Sequence, residues 1–479
     1  MVISLLSAYP FARVHFCLIV GACLLVQGCG ESRSTESTVS RGTKTAQEAK
    51  IEDLRQFHDM VVAGWSYLKT KQHLQGVDVA GTRDQLLGRV NANTNDEQFA
   101  NLLQEFAAAM KDGHSQVDIG SLKKPLSRTW PVGLAVVKEG IIVVNLNWLP
   151  DNPGIQLGDR LIQVNGEPIE NLVSRMMQVT SASTDSARRV LAVDLLHRTN
   201  DETVRFSLER SGGSPWEVTL PCLAHQVDFR SRERKAFCEY GELDSGIHLI
   251  RIPQFTWNES EFSKANTDRD REVALTEAKT QIDAAFSGAG SASGLILDLR
   301  GNAGGYELLS SFVAEHLVPD DFVYYSLTRH DSEFIRSLNA YAGYEAGSFG
   351  VRLPTRPRQW TGFRHFTGTP FSGRLVVLVN HRCFSTTDNL CAFLKDARPL
   401  TRFVGQPTGG GTGEPLTVGT LNNSKVPVQF CVSVVRSPRG RIIEGVGTLP
   451  DVLVEPTRED LLQRRDPALE AAIKQFENW

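Results

Sequence analysis

Leu295-Ile296-Leu297-Asp298-Leu299-Arg300-Gly301-Asn302-Ala303-Gly304-Gly305 runs from an apolar strand directly into a glycine-rich turn, and its reading decides the fold. Ile247 to Ile252 reads as an earlier strand. Residues 271–286 place Leu275, Ala278, Ile282 and Phe286 at helical spacing between the two. Strand, helix, strand is a βαβ unit, which makes the two strands parallel. Leu375 to Val379 is entirely apolar, as expected of a strand covered on both faces. The core is therefore α/β. After the strand, glycines let backbone N–H groups face a ligand, and the helix expected over Tyr306–Leu317 brings a positive dipole end. That suits an oxyanion or a phosphate. Neither G-x-x-x-x-G-K-[ST] nor G-x-G-x-x-G is present, so nucleotide sites of those kinds are excluded.

A second turn follows the Leu375 strand: Asn380-His381-Arg382-Cys383-Phe384-Ser385-Thr386-Thr387-Asp388, leading into a helix expected over Asn389–Leu394. A serine on such a turn presents its hydroxyl at the carboxyl edge of the sheet, where open α/β folds place their sites. Ser385 equally suits a helix cap, with Asp388 completing an S-x-x-D box. His381 stands four residues before Ser385 as one candidate base. Asp298 and Arg300 read as a structural pair beneath the glycine turn.

Upstream, residues 49–122 read as helical. Thr94-Asn95-Asp96-Glu97 forms a T-x-x-E capping box, Phe99, Leu102, Leu103, Phe106 and Met110 make an apolar stripe, and Gly113 falls where a C-terminal cap belongs. Lys111-Asp112-Gly113-His114-Ser115 sets a histidine just beyond that helix. Residues 123–222 change to short strands. Ile155-Gln156-Leu157-Gly158-Asp159-Arg160-Leu161-Ile162-Gln163-Val164-Asn165-Gly166 resembles the signature of bacterial PDZ domains. Such domains add an extended peptide to a sheet edge and hold its terminal carboxylate on backbone N–H groups; Val132, Gly133 and Leu134 are the candidates here.

The chain has 479 residues and a net charge of −4, with no basic cluster, so nothing argues for nucleic acid. Phe16 to Val26 is an apolar run of 11 residues, too short for a bilayer span of about 20 and right for a signal-peptide core. It ends in Val26-Gln27-Gly28-Cys29, which resembles a lipobox; an ordinary signal peptide with an incidental cysteine is the alternative. Residues 1–28 are then the signal peptide and 29–48 a polar tether, with Cys29 the lipidated residue. Glycine rather than aspartate after Cys29 favours the outer membrane, facing the periplasm. Cys222, Cys238, Cys383, Cys391 and Cys431 remain in the body of the chain. Cys222–Cys238 is the nearest candidate disulfide, and buried thiols are the alternative; no cysteine or histidine spacing suggests zinc.

Taken in order, K-D-G-H-S, the PDZ-like stretch, D-L-R-G-N-A-G-G, S-T-T-D, T-G-G-G at Thr408–Gly411 and I-E-G-V-G-T-L-P-D at Ile443–Asp451 resemble the tail-specific, or C-terminal-processing, serine proteases. The resemblance is to the tricorn-core-like branch. Gly411 stands where the other branch carries a catalytic lysine. It implies a multidomain α/β protein: an N-terminal helical region, a PDZ-like β-rich domain, and residues 223–479 as a protease core of the ClpP/crotonase-like type. It further implies a serine peptidase without metal or cofactor, acting on polypeptides. Ser385 would be the nucleophile, His114 the base, and Glu444 the carboxylate orienting His114. Backbone N–H groups of Gly304 and Thr386 would receive the oxyanion. A catalytically inactive, anchored adaptor that binds peptides without cutting is the rival reading.

Overall fold

A computed structural model describes residues 44–149, 151–210, 212–224, 236–243, 246–265, 267–290, 292–330, 332–338, 358–362, 368–477 and 479. The signal peptide, most of the tether and Cys29 lie outside the described residues.

The central sheet runs in the order Glu239–Glu242, Ile247–Arg251, Gly294–Asp298, Arg374–Val379, Arg402–Gly405, Val452–Leu453. The first pair is antiparallel and the rest are parallel, with Leu297 opposite Ile250 on one side and Val377 on the other. Both faces are covered. Leu295, Leu297 and Leu299 join Leu275, Ile282, Leu309 and Phe393 in one buried cluster. Ile296, Val376, Leu378 and Val404 meet Ala468, Leu469 and Ala472 of the C-terminal helix Pro467–Glu477 in another. That two-sided burial is why these strands carry apolar residues at consecutive positions. Beneath the glycine turn, Arg300 bridges the Asp298 and Asp466 carboxylates at 2.8 and 2.7 Å.

Helix ends differ from expectation in instructive ways. The helix Asp96–Ala109 is capped one residue later than predicted. Asn95 accepts from Gln98 N–H and the Gln98 side chain returns to Asn95 N–H, while Thr94 closes the preceding turn through Asn91 N–H. At its other end Lys111, not Gly113, takes the left-handed φ of 52°. Gly113 is small for another reason: a Cβ there would lie 2.6 Å from the Phe384 ring. The helix Asp268–Gly288 starts earlier than predicted because Thr267 and Asp270 form a capping box.

Residues 133–221 form a separate antiparallel sheet, Gly133–Val137, Gly140–Asn145, Arg160–Val164, Thr203–Glu209 and Trp216–Pro221 in spatial order, with Glu167–Pro168 beside Arg160–Val164. The helices Ile169–Val179 and Asp185–Leu196 pack with it around Val143, Leu161, Val173, Val193 and Phe206. Asp159 of the Leu157-Gly158-Asp159 motif is buried and paired with Arg210 at 2.8 Å. The N-terminal helices instead share a core with the other end of the chain: Phe57, Trp65, Phe99 and Phe106 pack against Val428, Phe430 and Val432. Gln116–Val117 adds a short strand to Pro427–Cys431. That pairing carries the turn holding His114 to the far side of the molecule's sequence. The five cysteines of the described residues are free and buried, so Cys222 and Cys238 are not bridged.

Candidate active site

The strand Arg374–Val379 delivers the chain into the turn 380–384, and the helix Thr386–Ala397 leaves it. Ser385 sits between them at φ 58° and ψ −123°, a conformation unusual for a residue with a side chain. Its N–H donates to Gly411 O at 2.7 Å. Its hydroxyl makes no capping bond. The predicted S-x-x-D box is therefore absent, and Asp388 instead accepts from Thr408 Oγ1 and from Gly411 N–H. Burial pushes the Asp388 carboxyl up to about 8. Freed from capping, Ser385 Oγ lies 3.1 Å from His114 Nε2.

His114 is fixed from several sides. Its main-chain N–H donates to Asp112 Oδ1 at 2.9 Å and its carbonyl accepts from Gln429 Nε2 at 3.1 Å. Its ring lies on Phe384 with centroids 4.6 Å apart. Gly113 N–H is held by Ser183 Oγ at 3.0 Å, from the turn between the two helices of the 133–221 region. Behind the ring, Asp112 Oδ1 is 4.0 Å from Nδ1. That carboxylate is buried and accepts from Trp65 Nε1 at 2.9 Å and Ser115 Oγ at 3.0 Å. Burial lowers the imidazole's proton affinity below its ordinary value, and Asp112 partly restores it.

Glu444 does not sit where the resemblance placed it. Among the described residues, His114 Nδ1 has no hydrogen-bond partner. Glu444 Oε2 accepts from Thr412 N–H at 2.8 Å, and Oε1 lies 2.6 Å from the Lys71 ammonium. Both side chains of this pair are fully buried. A buried carboxylate is stabilised far more by a full opposite charge than by a neutral imidazole N–H, and that explains the choice of partner. Burial still raises the Glu444 carboxyl to about 7, against the lowering pull of Lys71.

The glycine turn also departs from expectation. Gly304 N–H donates to Asn302 Oδ1 at 2.9 Å and is not available as expected. What Gly304 supplies is proximity: at φ 96°, a Cβ there would stand 2.8 Å from Ser385 Cβ and 2.7 Å from Phe384 O. Among the described residues, the N–H groups of Gly305 and Thr386 have no partner. Asn302 holds the two turns together, its Oδ1 also accepting from Thr387 Oγ1 at 2.8 Å and its main-chain O accepting from Phe384 N–H at 3.1 Å. His381 is half-buried with its ring at the backbone of Pro407. Val132, Gly133 and Leu134 lie buried at the edge of the other sheet. Asp112 was visible in the K-D-G-H-S run, but Lys71, one lysine in Leu68-Lys69-Thr70-Lys71-Gln72, carries no signal separating it from a solvated helix face.

A serine hydroxyl on a constrained strand-to-helix turn, within hydrogen-bond reach of a buried imidazole, defines an α/β serine hydrolase site. The comparisons agree with that class. Residues 246–454 match Peptidase family S41, and residues 136–222 match the S41 family N-terminal domain of Bacteroidetes. The chain belongs to peptidase family S41 and is a serine-type peptidase. Among solved structures it is similar in fold to mature CPAF, with TM-score 0.69 at 15% identity over 90% of this chain and 96% of that one. Mature CPAF complexed with lactacystin gives TM-score 0.68 at 15% identity, over 90% and 98%. A candidate peptidase from Parabacteroides merdae gives 0.50 at 16% identity, over 89% and 96%. No curated protein matches the sequence.

Proposed function

We propose that the chain cuts peptide bonds with Ser385 as nucleophile and His114 as its general base. The contact between Ser385 Oγ and His114 Nε2, 3.1 Å long, carries this reading. A serine hydroxyl attacks well once a base takes its proton, and a neutral imidazole is the form that does so. The proton moves to Nε2, Oγ bonds the carbonyl carbon, and the oxyanion meets the N–H groups of Thr386 and Gly305, at a helix N-terminus where negative charge is favoured. Imidazolium then returns the proton to the leaving amine, and water repeats the cycle on the acyl-enzyme. Asp112, facing Nδ1, stabilises the imidazolium directly. Glu444, held by Lys71, fixes the wall behind it.

The substrates we infer are extracytoplasmic polypeptides, selected as extended chains through residues 123–222 acting as a PDZ-like module. In support, Gly133–Val137 is an edge strand of its sheet and packs beside the helix Asp185–Leu196, the setting that strand addition requires. With residues 1–28 as signal peptide and Cys29 lipidated, the enzyme would face the periplasm from the outer membrane. No described helix is long and apolar enough to cross a membrane. Cys29→Ser should release it from the membrane fraction.

Ser385→Ala and His114→Ala should each abolish hydrolysis of an unfolded protein substrate. Because the Ser385 hydroxyl caps nothing, its loss should leave the thermal midpoint within a degree or so; a lost cap would cost about 1 kcal/mol. Full activity in the purified Ser385→Ala protein would reject the assignment and leave the catalytic serine elsewhere.

A further inference from the structure

At the imidazole of His114 the fold gathers three side chains of metal-ligating type, of which the proposed reaction uses two, His114 and Asp112, and gives Cys431 no role. Among the described residues, Asp112, His114 and Cys431 bring one donor atom each to within 4.8 Å of one another, and all three are buried. Asp112 Oδ1 is 4.0 Å from His114 Nδ1 and 4.0 Å from Cys431 Sγ. Among the described residues, His114 Nδ1 has no hydrogen-bond partner although it is enclosed. The other contact of Cys431 Sγ is a long one, 3.7 Å to Thr412 O. Two carboxylates face this space, Asp112 and Glu444, and Lys71 is paired with the second. The pairing of Gln116–Val117 with Pro427–Cys431 sets the cysteine against the histidine turn, so the cluster is held by sheet register rather than by chance side-chain rotation.

We propose that Asp112 Oδ1, His114 Nδ1 and Cys431 Sγ form an inhibitory site for a borderline-soft divalent cation such as Zn²⁺. Carboxylate, imidazole and thiolate are the donors such ions select, and three protein ligands leave a fourth position for water. Bond lengths of about 2.0–2.3 Å put tetrahedral ligand atoms about 3.5 Å apart, so the two pairs with Asp112 close by roughly half an ångström on binding and the His114–Cys431 pair by at most about 1.3 Å. The cation replaces the thiol proton of Cys431, which leaves to solvent. Without metal, burial and the nearby carboxylates keep that thiol protonated. The consequence for His114 follows from its tautomers. With the Nδ1 lone pair given to the metal, the neutral ring carries its proton on Nε2. Nε2 then has no lone pair for the Ser385 proton, and attack stops.

The effect on rate rests on His114 being the base; the binding does not. The test therefore begins with binding, using the full mature chain and Co²⁺ as a spectroscopic probe. One equivalent should produce thiolate-to-cobalt absorption in the near ultraviolet, and Cys431→Ser should lose it. Zn²⁺ should lower peptide hydrolysis at least tenfold in the wild type, with recovery on adding a chelator. Cys431→Ser should keep basal hydrolysis and lose most of that sensitivity, and Cys431→Ala should behave alike should serine pack poorly. Absence of the cobalt–thiolate band, or a band and zinc response unchanged in both Cys431 variants, would overturn the site. Cobalt bound through Cys431 in a chain that cuts nothing would uphold the site and reject the proposed reaction instead.

Discussion

Phe384 leaves no room for a side chain at position 411. A Cβ on Gly411 would fall 1.7 Å from the Phe384 ring, and the same ring supports His114. One aromatic side chain thus fills the space beside Gly411 and supports the ring of the proposed base. Gly411→Lys should not create a Ser–Lys enzyme. It should overpack the turn, costing about 1–3 kcal/mol, and leave the His114→Ala protein inactive; thermal unfolding and hydrolysis assays check both. The base also sets the pH response. Burial lowers the His114 pKa below its ordinary 6.5 while Asp112 raises it in part, so the neutral, active ring persists to lower pH than a free imidazole. The acid limb of kcat/KM should lie below 6.5, and Asp112→Asn should move it lower still. A limb displaced upward in that variant would contradict the assigned electrostatics. The juxtaposition of Ser385 and His114, 3.1 Å apart, could be expected from the order of motifs in the sequence. The partner of Glu444 could not, since spacing along the chain does not reveal which buried cation a carboxylate will meet.

The elements around the site are joined by buried polar contacts rather than by apolar packing alone. Lys71, on the helix Leu68–Gln75, reaches the Glu444 loop, and Gln75 Nε2 from the same helix meets both Gly445 O and Ser183 O. Breaking the pair strands a buried carboxyl beside Asp112. Lys71→Met should therefore cost about 3–5 kcal/mol, read by denaturant unfolding; a loss under about 1 kcal/mol would show the pair to be dispensable. Helices and parallel strands were legible from periodicity. Their ends were less so, because neighbouring residues compete for one cap: Thr94 and Asn95 both qualify, and the Asn91–Thr94 turn decides between them. The same limit misread Gly304, whose smallness serves the close approach of Ser385 while Asn302 takes its N–H.

Over the whole molecule, the proposed catalytic groups are assembled from regions that look separable in sequence. His114 comes from the N-terminal helices, Ser385 from the α/β core, and residues of the 133–221 region brace both, through Ser183 on the histidine turn and Asp194 paired with Arg382 beside the nucleophile. These contacts were not legible, because each joins side chains distant in sequence. If the PDZ-like module delivers substrate, peptides with a free apolar C-terminus should show a lower KM than the same peptides amidated, with kcat little changed. Equal KM values would make that module a brace alone. The proposed reaction depends on Ser385 being a nucleophile activated by His114, and covalent labelling tests this directly. A fluorophosphonate probe followed by peptide mapping should modify Ser385 in the wild type and lose that reaction in His114→Ala. Labelling at another serine, or undiminished labelling of Ser385 without His114, would contradict it.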